Sequence, residues 1–511
     1  MKQKIKLKKI LSLKELSILS KKLKKKKKKI ILCHGVFDLL HIGHIKHFQK
    51  AKSNGDILIV TLTDSKFVKK GPNRPYFNNS LRAEALAAIE VIDYISVINE
   101  STAINVIKKL KPDIYFKGDE YKSNNQDITG VIKKEKNEVK RYGGKIKYTE
   151  ELTFSSSKIL NEFNEDFSSH QDPIIKKLKK DFNFSKIRKM IDNFLDLKVL
   201  IIGETIIDEY VFCEALGKSG KEPVLVFKDH GREKYLGGVL AIARHLSSFC
   251  KNLSLLSLLG KNNEEKNFIK KNLEKNIKIN FFNKKNAPTI IKKRYIDRID
   301  NRKVFGIYSL NDSLVTKTEE NKILNFLKKV KNKYDLIIVA DYGHGMISSK
   351  IAKYISNNKT FFSLNAQINS TNIGLHSINK YKKINSLVIN ANELRHEMNE
   401  REGDIINLAI RYKKLINCNY LSVTQGKKGA FVIDKNQNVT HCPAFLKKVK
   451  DKVGAGDAFL SIISLCHFMK YDPNFSIYLS SLAAAKSVDT IGNKIPINKN
   501  EMLKIISHMI K

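Results

Sequence analysis

Short apolar runs alternate with stretches of helical spacing along the chain. Lys29 to Cys33, Lys198 to Ile202, Leu336 to Val339 and Tyr420 to Thr424 are β-prone and read as buried strands. Between such runs apolar residues recur at helical intervals, as from Gly43 onward and through Ala458-Phe459-Leu460-Ser461-Ile462-Ile463. This alternation predicts a parallel α/β sheet in each half, with active sites at the carboxyl ends of the strands. A chain of 511 residues is too long for one core. Glu162 to Leu197 is charged and carries a lysine-rich helical pattern, which suits an exposed connector. The expected division is a basic segment over 1–28, a first domain over 29–161, a connector over 162–197 and a second domain over 198–511. No internal repeat of solenoid length interrupts it.

Two glycine-containing segments carry the candidate chemistry. In HGVFDLLHIGH, His34 to His44, a strand runs into a helix, and the unpaired N–H groups of a helix N-terminus attract anions. Gly43 lets a backbone come close to a phosphate. His41 and His44, three residues apart, can donate hydrogen bonds to a polyphosphate, although two such histidines can also be plain surface residues. Asp38 either shapes a nucleotide pocket or ends the strand and caps the turn. In DKVGAGDAF, Asp451 to Phe459, a β-prone Val449 to Val453 precedes the small-residue turn Gly454-Ala455-Gly456, and Asp457 opens a helix. The N–H groups of such a turn can hold a developing oxyanion while one carboxylate acts as general base. An aspartate capping an ordinary helix is the plainer alternative.

The wider motifs extend both readings. HGVFDLLHIGHIKHF, GDILIV (55–60), RPYFNNSLRAEALAA (74–88), KPDIYFKGDEY (111–121) and GGKIKYTEELTFSSSKIL (143–160) resemble, in order, the cytidylyltransferase-like nucleotidyltransferases. That resemblance implies a Rossmann-like domain in which His41 and His44 stabilise the transition state at the α-phosphate. Phe37, Asp38 and Gly43 then lie at the nucleotide, Lys46 and Lys117 add positive charge, and Ser155, Ser156 and Ser157 bind phosphate. KVLIIGETIIDEY (198–210), LGGVLAIARHL (236–246), PTIIKKR (288–294), ADYGHGMI (340–347), NANE (390–393), VTQGKKGAFV (423–432) and the GAGD turn resemble the ribokinase-like, or PfkB, sugar kinases. This implies that Asp208, Gly237, Gly238 and Arg294 bind the sugar phosphate. Asn390, Glu393, Thr424 and Gly426 then lie at the nucleotide, with Glu393 near magnesium. Gly454, Ala455 and Gly456 form the anion hole, and Asp457 is the base. His344 is a weaker candidate for substrate contact. Ala241 stands where the family usually has asparagine, and Leu364-Asn365-Ala366-Gln367 replaces an aspartate-proline-lysine sequence, so the sugar need not be the usual heptose 7-phosphate.

The pair resembles a bifunctional ADP-heptose synthesis enzyme with the domain order reversed. The implied function is sugar-phosphate phosphorylation and nucleotidyl transfer toward a surface glycan or lipopolysaccharide, with ATP and Mg2+ required. Two rivals stand beside it: a CDP-forming transferase using CTP and fused to a different kinase, and a catalytically degenerate basic binding protein.

The formal net charge is +43, yet of the 94 basic residues only 12 are arginine. Dispersed lysines point to solvated surfaces rather than specific nucleic-acid readout. The dense run Lys21 to Lys29 could touch RNA or anionic lipid, or could be a solvated helix end before the first strand. No apolar stretch has the length of a membrane span, and no signal-peptide core is seen, so a cytoplasmic location is expected. Six scattered cysteines without a C-x-x-C pair support neither a zinc site nor a disulfide framework, and Cys33 reads as a buried strand residue. A homo-oligomer is compatible with all of this.

Overall fold

The computed structural model describes residues 9–68, 74–118, 131–149, 173–299, 302–368, 377–445 and 449–510. The described residues form two compact units, one drawn from Met1–Lys179 with Asn500–Lys511, the other from Lys180–Lys499.

The first unit holds five strands, β1 Ile30–Gly35, β2 Ile57–Thr63, β3 Tyr94–Ile98, β4 Ile114–Gly118 and β5 Lys145–Thr149. They lie in the order β3-β2-β1-β4-β5, all parallel. The apolar Ile30–Cys33 run is fully buried because helices cover both faces. The basic run is the end of the helix Leu13–Lys25, whose start carries a Ser12–Glu15 capping box. Leu16 anchors that helix in the core while Lys25 to Lys29 stay exposed, as a solvated helix end requires.

The second unit begins with the helix Phe184–Asp192, capped by the Asn183 side chain. Ile187, Ile191 and Phe194 are fully buried, and the Met190 carbonyl accepts from the Tyr471 hydroxyl at 2.9 Å. This part of the charged stretch therefore packs into the unit and is no exposed connector. The strands follow as β6 Lys198–Gly203, β7 Thr205–Lys218, β8 Leu225–Gly238, β9 Asn252–Gly260, β10 Ile277–Lys284, β11 Ile290–Asp297, β12 Lys303–Ser309, β13 Leu336–Asp341, β14 Phe361–Ala366, β15 Ile384–Asn390, β16 Cys418–Thr424, β17 Ala430–Ile433 and β18 Val439–Cys442. Nine of them form a sheet in the order β10-β9-β6-β13-β14-β15-β16-β17-β18. Its pairs are parallel as far as β16, and β17 and β18 close it antiparallel. A separate four-stranded sheet, β12-β11-β7-β8, contains two antiparallel pairs, a departure from the wholly parallel expectation.

A second departure concerns Val449 to Val453, which forms no strand. The N–H of Lys450 donates to the Val488 carbonyl at 3.0 Å and that of Val453 to the Asp451 carboxylate at 3.1 Å, so its donors are met by a loop. The six cysteines are all buried and unbridged, Cys33 among them.

Leu387 in β15 is fully buried in the second unit's core, whereas Leu415 on the helix Ile405–Leu415 is 71% exposed. Leu387→Ala is expected to cost about 2–5 kcal/mol and Leu415→Ala less than about 0.5 kcal/mol, read as shifts of urea midpoint at constant m. Equal shifts would contradict this core.

Candidate active sites

In the first unit the strand order reverses between β1 and β4, and the crevice at their carboxyl ends is where such sheets bind ligands. β1 delivers His34 and Gly35 there, and β4 delivers Lys117 and Gly118. After Gly35 the chain turns through Phe37 at φ 48°, whose buried ring lies 5.5 Å from that of His44 and 5.1 Å from Phe48. A side chain at residue 35 would start 2.9 Å from the Phe37 ring, which accounts for the glycine.

His41 caps the helix Ile42–Lys52, its Nδ1 accepting from the Gly43 N–H at 3.1 Å. That N–H, expected to face a phosphate, is therefore held by the imidazole. The His41 and His44 rings lie 4.0 Å apart between centroids. Burial lowers the pKa of His41, and with Nδ1 accepting, the neutral ring carries its proton on Nε2. His41 Nε2 is buried and has no hydrogen-bond partner among the described residues. This arrangement can present a directed N–H to an anion.

The other expected transferase residues scatter in role. Lys46 is exposed on the same helix. Lys117 turns inward, 3.5 Å from the Glu135 carboxylate and 4.9 Å from the centre of the Tyr115 ring. Asp38 is buried, with one oxygen accepting from the Tyr76 N–H at 2.8 Å and the other from the Phe77 N–H at 3.0 Å, while Arg74 lies 3.9 Å away. It thus ties the 74–77 segment to the turn after β1. Ser155, Ser156 and Ser157 lie outside the described residues.

Sequence reasoning passed over Arg82, which is 1% exposed and donates to the carbonyls of Val36 at 2.6 Å and Thr63 at 3.1 Å and to Asn79 Oδ1 at 2.7 Å. It also passed over His34, whose ring bridges the Thr61 and Thr63 hydroxyls at 2.9 and 3.2 Å and is held neutral by burial, its pKa lowered to about 4. Both lay inside quoted motifs, but nothing in a linear pattern marks a side chain that turns inward.

In the second unit the order reverses between β6 and β13. Glu204 follows β6 and is buried, accepting from the N–H groups of Tyr342 at 3.0 Å and of His344 and Met346 at 3.2 Å each. Burial, then nearby Asp341, raises its pKa to about 7. The loop so held places the Tyr342 hydroxyl 2.8 Å from Asp457 Oδ1. Asp457 sits in the first turn of the helix Ala455–Phe468, after Gly454 at φ 89° and with no side chain capping the helix start. Those N–H groups remain open to an anion. A side chain at 454 would collide with Asn493, whereas one at 456 would meet nothing, so Gly454 is required by packing and the turn is open above Gly456. Desolvation raises the Asp457 pKa to about 6, and nearby Asp208 adds to the rise.

Asp208 is buried and paired with Arg294, joining two expected sugar ligands to each other. Gly237 is the close approach that permits this, since a side chain there would start 2.3 Å from Asp208 Oδ2; Gly238 adopts φ 56°. Asn390 and Thr424 are register partners at the ends of β15 and β16, their side chains 3.5 Å apart, and Gly426 follows at φ 59°. Asn390 and Glu393 form a capping box, with the Asn390 N–H donating to Glu393 Oε2 at 2.8 Å and the Ile368 N–H to Oε1 at 3.3 Å. Burial raises the Glu393 pKa to about 7. No cluster of three metal-ligating side chains is found among the described residues.

Asp451 was passed over too. Its buried carboxylate accepts from the Tyr210 hydroxyl and the Lys303 ammonium at 2.5 Å each, and from the Gly492 N–H at 3.0 Å. It fixes the approach to the GAGD turn against β7 and β12. Ala241 is buried on the helix Val239–Leu246, and the Asn365 amide donates to the Val388 carbonyl at 3.0 Å.

The pattern of the pfkB family carbohydrate kinases matches residues 196–500. The chain belongs to that family. A cytidylyltransferase-like pattern matches residues 32–162, so the chain also carries a cytidylyltransferase-like domain. Among curated relatives, the bifunctional protein HldE of Nitratiruptor sp. is 44% identical over 110 residues, covering 21% of this chain and 24% of that one. HldE of Geotalea uraniireducens is 36% identical over 152 residues, covering 29% of each chain. These matches thus span about a quarter of the relatives' length. Arabidopsis thaliana ribokinase aligns with 61% of this chain and 99% of its own at a TM-score of 0.48 and 16% identity. No helix among the described residues is long and apolar enough to cross a membrane.

Phosphoryl transfer that needs ionised Asp457 is expected to rise through about pH 6 and level off above it. The Tyr342 hydroxyl favours the carboxylate, so Tyr342→Phe should move that rising limb to higher pH. A limb that stays in place in kcat/KM profiles would separate Tyr342 from this acid.

Proposed function

We propose that the chain is a bifunctional sugar-phosphate kinase and sugar 1-phosphate nucleotidyltransferase, with ADP-heptose for a surface glycan as its product. One observation carries the reading. Each unit brings a helix N-terminus and a proton-handling side chain to the point where its strand order reverses, His41 and His44 in one, Asp457 in the other. Local HldE similarity supports the pairing of the two activities.

In the kinase step Asp457 takes the proton of the attacking sugar hydroxyl, and the N–H groups of Gly454 to Asp457 hold the phosphoryl oxygens. Asp208 and Arg294 orient the sugar phosphate, with Gly237 and Gly238 closing over it. Asn390, Thr424 and Gly426 edge the ATP pocket, and magnesium travels with the nucleotide phosphates, Glu393 nearby. In the transferase step the sugar 1-phosphate attacks the α-phosphate and displaces pyrophosphate, while His41 and His44 donate to the charge that shifts onto oxygen. Phe37 and Asp38 shape the pocket, Lys46 and Lys117 supply positive field, and Ser155 to Ser157 contact phosphate. Catalysis is positioning and charge stabilisation, and no covalent intermediate is needed. The enzyme works in the cytoplasm, where both nucleotides and sugar phosphates are available.

A mass-spectrometric screen of sugar phosphates with ATP and with CTP, with and without a bisphosphate phosphatase, tests the assignment. A product with heptose 7-phosphate and ATP supports it, and a CDP product alone rejects ADP-heptose.

The two sites should fail separately. His44→Ala should lower nucleotidyl transfer by about 10²–10³ with phosphorylation intact. Asp457→Asn should lower phosphorylation by about 10²–10⁴, with nucleotidyl transfer from supplied sugar 1-phosphate unchanged. Loss of both activities in either variant would contradict two independent sites.

A further inference from the structure

Lys292 lies near the start of β11, 9% exposed, and its ammonium makes no hydrogen bond or ion pair with any described residue. Its Nζ lies over the Tyr308 ring, 5.6 Å from the centroid. Its stem is buried while the ammonium reaches the open face of this sheet, where it can meet a ligand. Strand register pairs Lys292 with Asp208 on β7 and with Tyr308 on β12, so it shares one sheet face with Asp208 and, two residues on, with Arg294. Arg294 is committed to Asp208 and lies over the Tyr210 ring. Burial lowers the pKa of Lys292, with Arg294 acting the same way, while Asp208 and then Glu204 and Asp312 favour its charged form. Its field in turn lowers the pKa of Asp457 and of His344.

An ATP γ-phosphoryl group brought to Asp457 meets two carboxylates, those of Asp457 and Asp208. Arg294 offsets one, and the helix N–H groups supply only partial charge. Magnesium on the nucleotide offsets charge at the β- and γ-oxygens, and on the sugar side of the phosphoryl group Lys292 is a cation of that sheet face with no hydrogen bond or ion pair to a described residue. We propose that Lys292 is a catalytic residue of the kinase reaction, its ammonium contacting the phosphoryl group in flight between ATP and the sugar hydroxyl. The hydroxyl oxygen forms its bond to γ-phosphorus as the bond to the β,γ-bridging oxygen breaks. The hydroxyl proton goes to Asp457, the electron pair leaves on ADP, and Lys292 stays protonated throughout.

This rests on the kinase reading, and the test separates the two. In the full chain, Lys292→Met should lower kcat for sugar phosphorylation by about 10²–10³ with KM for the sugar within about threefold, and Lys292→Arg should recover part of the loss. Because Lys292 lowers the Asp457 pKa, the rising limb of the Lys292→Met pH profile should move to higher pH. Nucleotidyl transfer and the melting temperature report folding. A change confined to KM, or a kcat within about threefold of wild type, overturns the proposal. One arm needs no turnover: ADP with magnesium and tetrafluoroaluminate, which mimics the phosphoryl group in flight, should bind Lys292→Met at least about tenfold more weakly than wild type, with ADP affinity unchanged. Should wild type phosphorylate no sugar, the kinase reading fails, and equal binding of that mimic by wild type and Lys292→Met then rejects the role of Lys292 independently.

Discussion

The candidate site of the second unit depends on one buried carboxylate. Glu204 follows β6 at the point where the strand order reverses, and it gathers the N–H groups of Tyr342, His344 and Met346 at the end of β13. The loop it holds has no strand neighbour to satisfy those donors, and a buried N–H without an acceptor costs about as much as a lost hydrogen bond. Glu204 therefore sets the path of the loop, the loop sets Tyr342, and the Tyr342 hydroxyl sets Asp457. Asp457 in turn stays near the acid side of neutrality because burial and Asp208 oppose its charge while Tyr342 favours it. A carboxyl placed by a chain of three hydrogen-bonded groups tolerates little slack at any of them.

The first unit solves the same problem with a different group. Asp38 uses both carboxylate oxygens on backbone N–H groups of the 74–77 segment, and Arg82 fans its guanidinium across the carbonyls of Val36 and Thr63. One anion and one cation thus stitch the loops after β1 and β2 to the segment before the helix Asn79–Ala87. Both are buried and held mainly by fixed backbone dipoles, although Arg82 Nε is left without a hydrogen-bond partner among the described residues.

What the sequence made legible was local. The strand and helix alternation, both glycine segments, a helix starting close to Asp457 and the solvated end of the lysine run all depend on neighbours within a few residues. The misread pieces depend on distant ones. Val449 to Val453 has strand composition, but Val488 from the end of another helix takes its donors. The lysines of 184–192 hid an apolar stripe, Ile187 and Ile191, that finds its partners only in the folded unit. Asp451 reads as an ordinary turn residue until Tyr210 and Lys303, 241 and 148 residues away, converge on it. Nor does strand periodicity say which charged residue on β11 will be paired, although it does say that Lys292 and Arg294 share a face.

The two helix N-termini are completed in different ways. At Ala455–Phe468 nothing caps the first turn, so its N–H groups stay available to an anion that arrives and leaves. At Ile42–Lys52 the cap is His41 itself, and accepting from Gly43 commits the imidazole to the tautomer that carries hydrogen on Nε2. The helix thereby gives up one backbone donor and gains a side-chain donor that reaches further from the helix axis. Burial keeps that ring neutral, so it offers a hydrogen bond without the cost of a buried cation. A phosphoryl group seated on backbone N–H groups suits transfer to a hydroxyl beside a base. On the proposed reading, a nucleotide phosphorus attacked by another phosphate has no hydroxyl proton to remove, and the His41 and His44 rings, 4.0 Å apart, would supply a donor that follows charge outward onto oxygen.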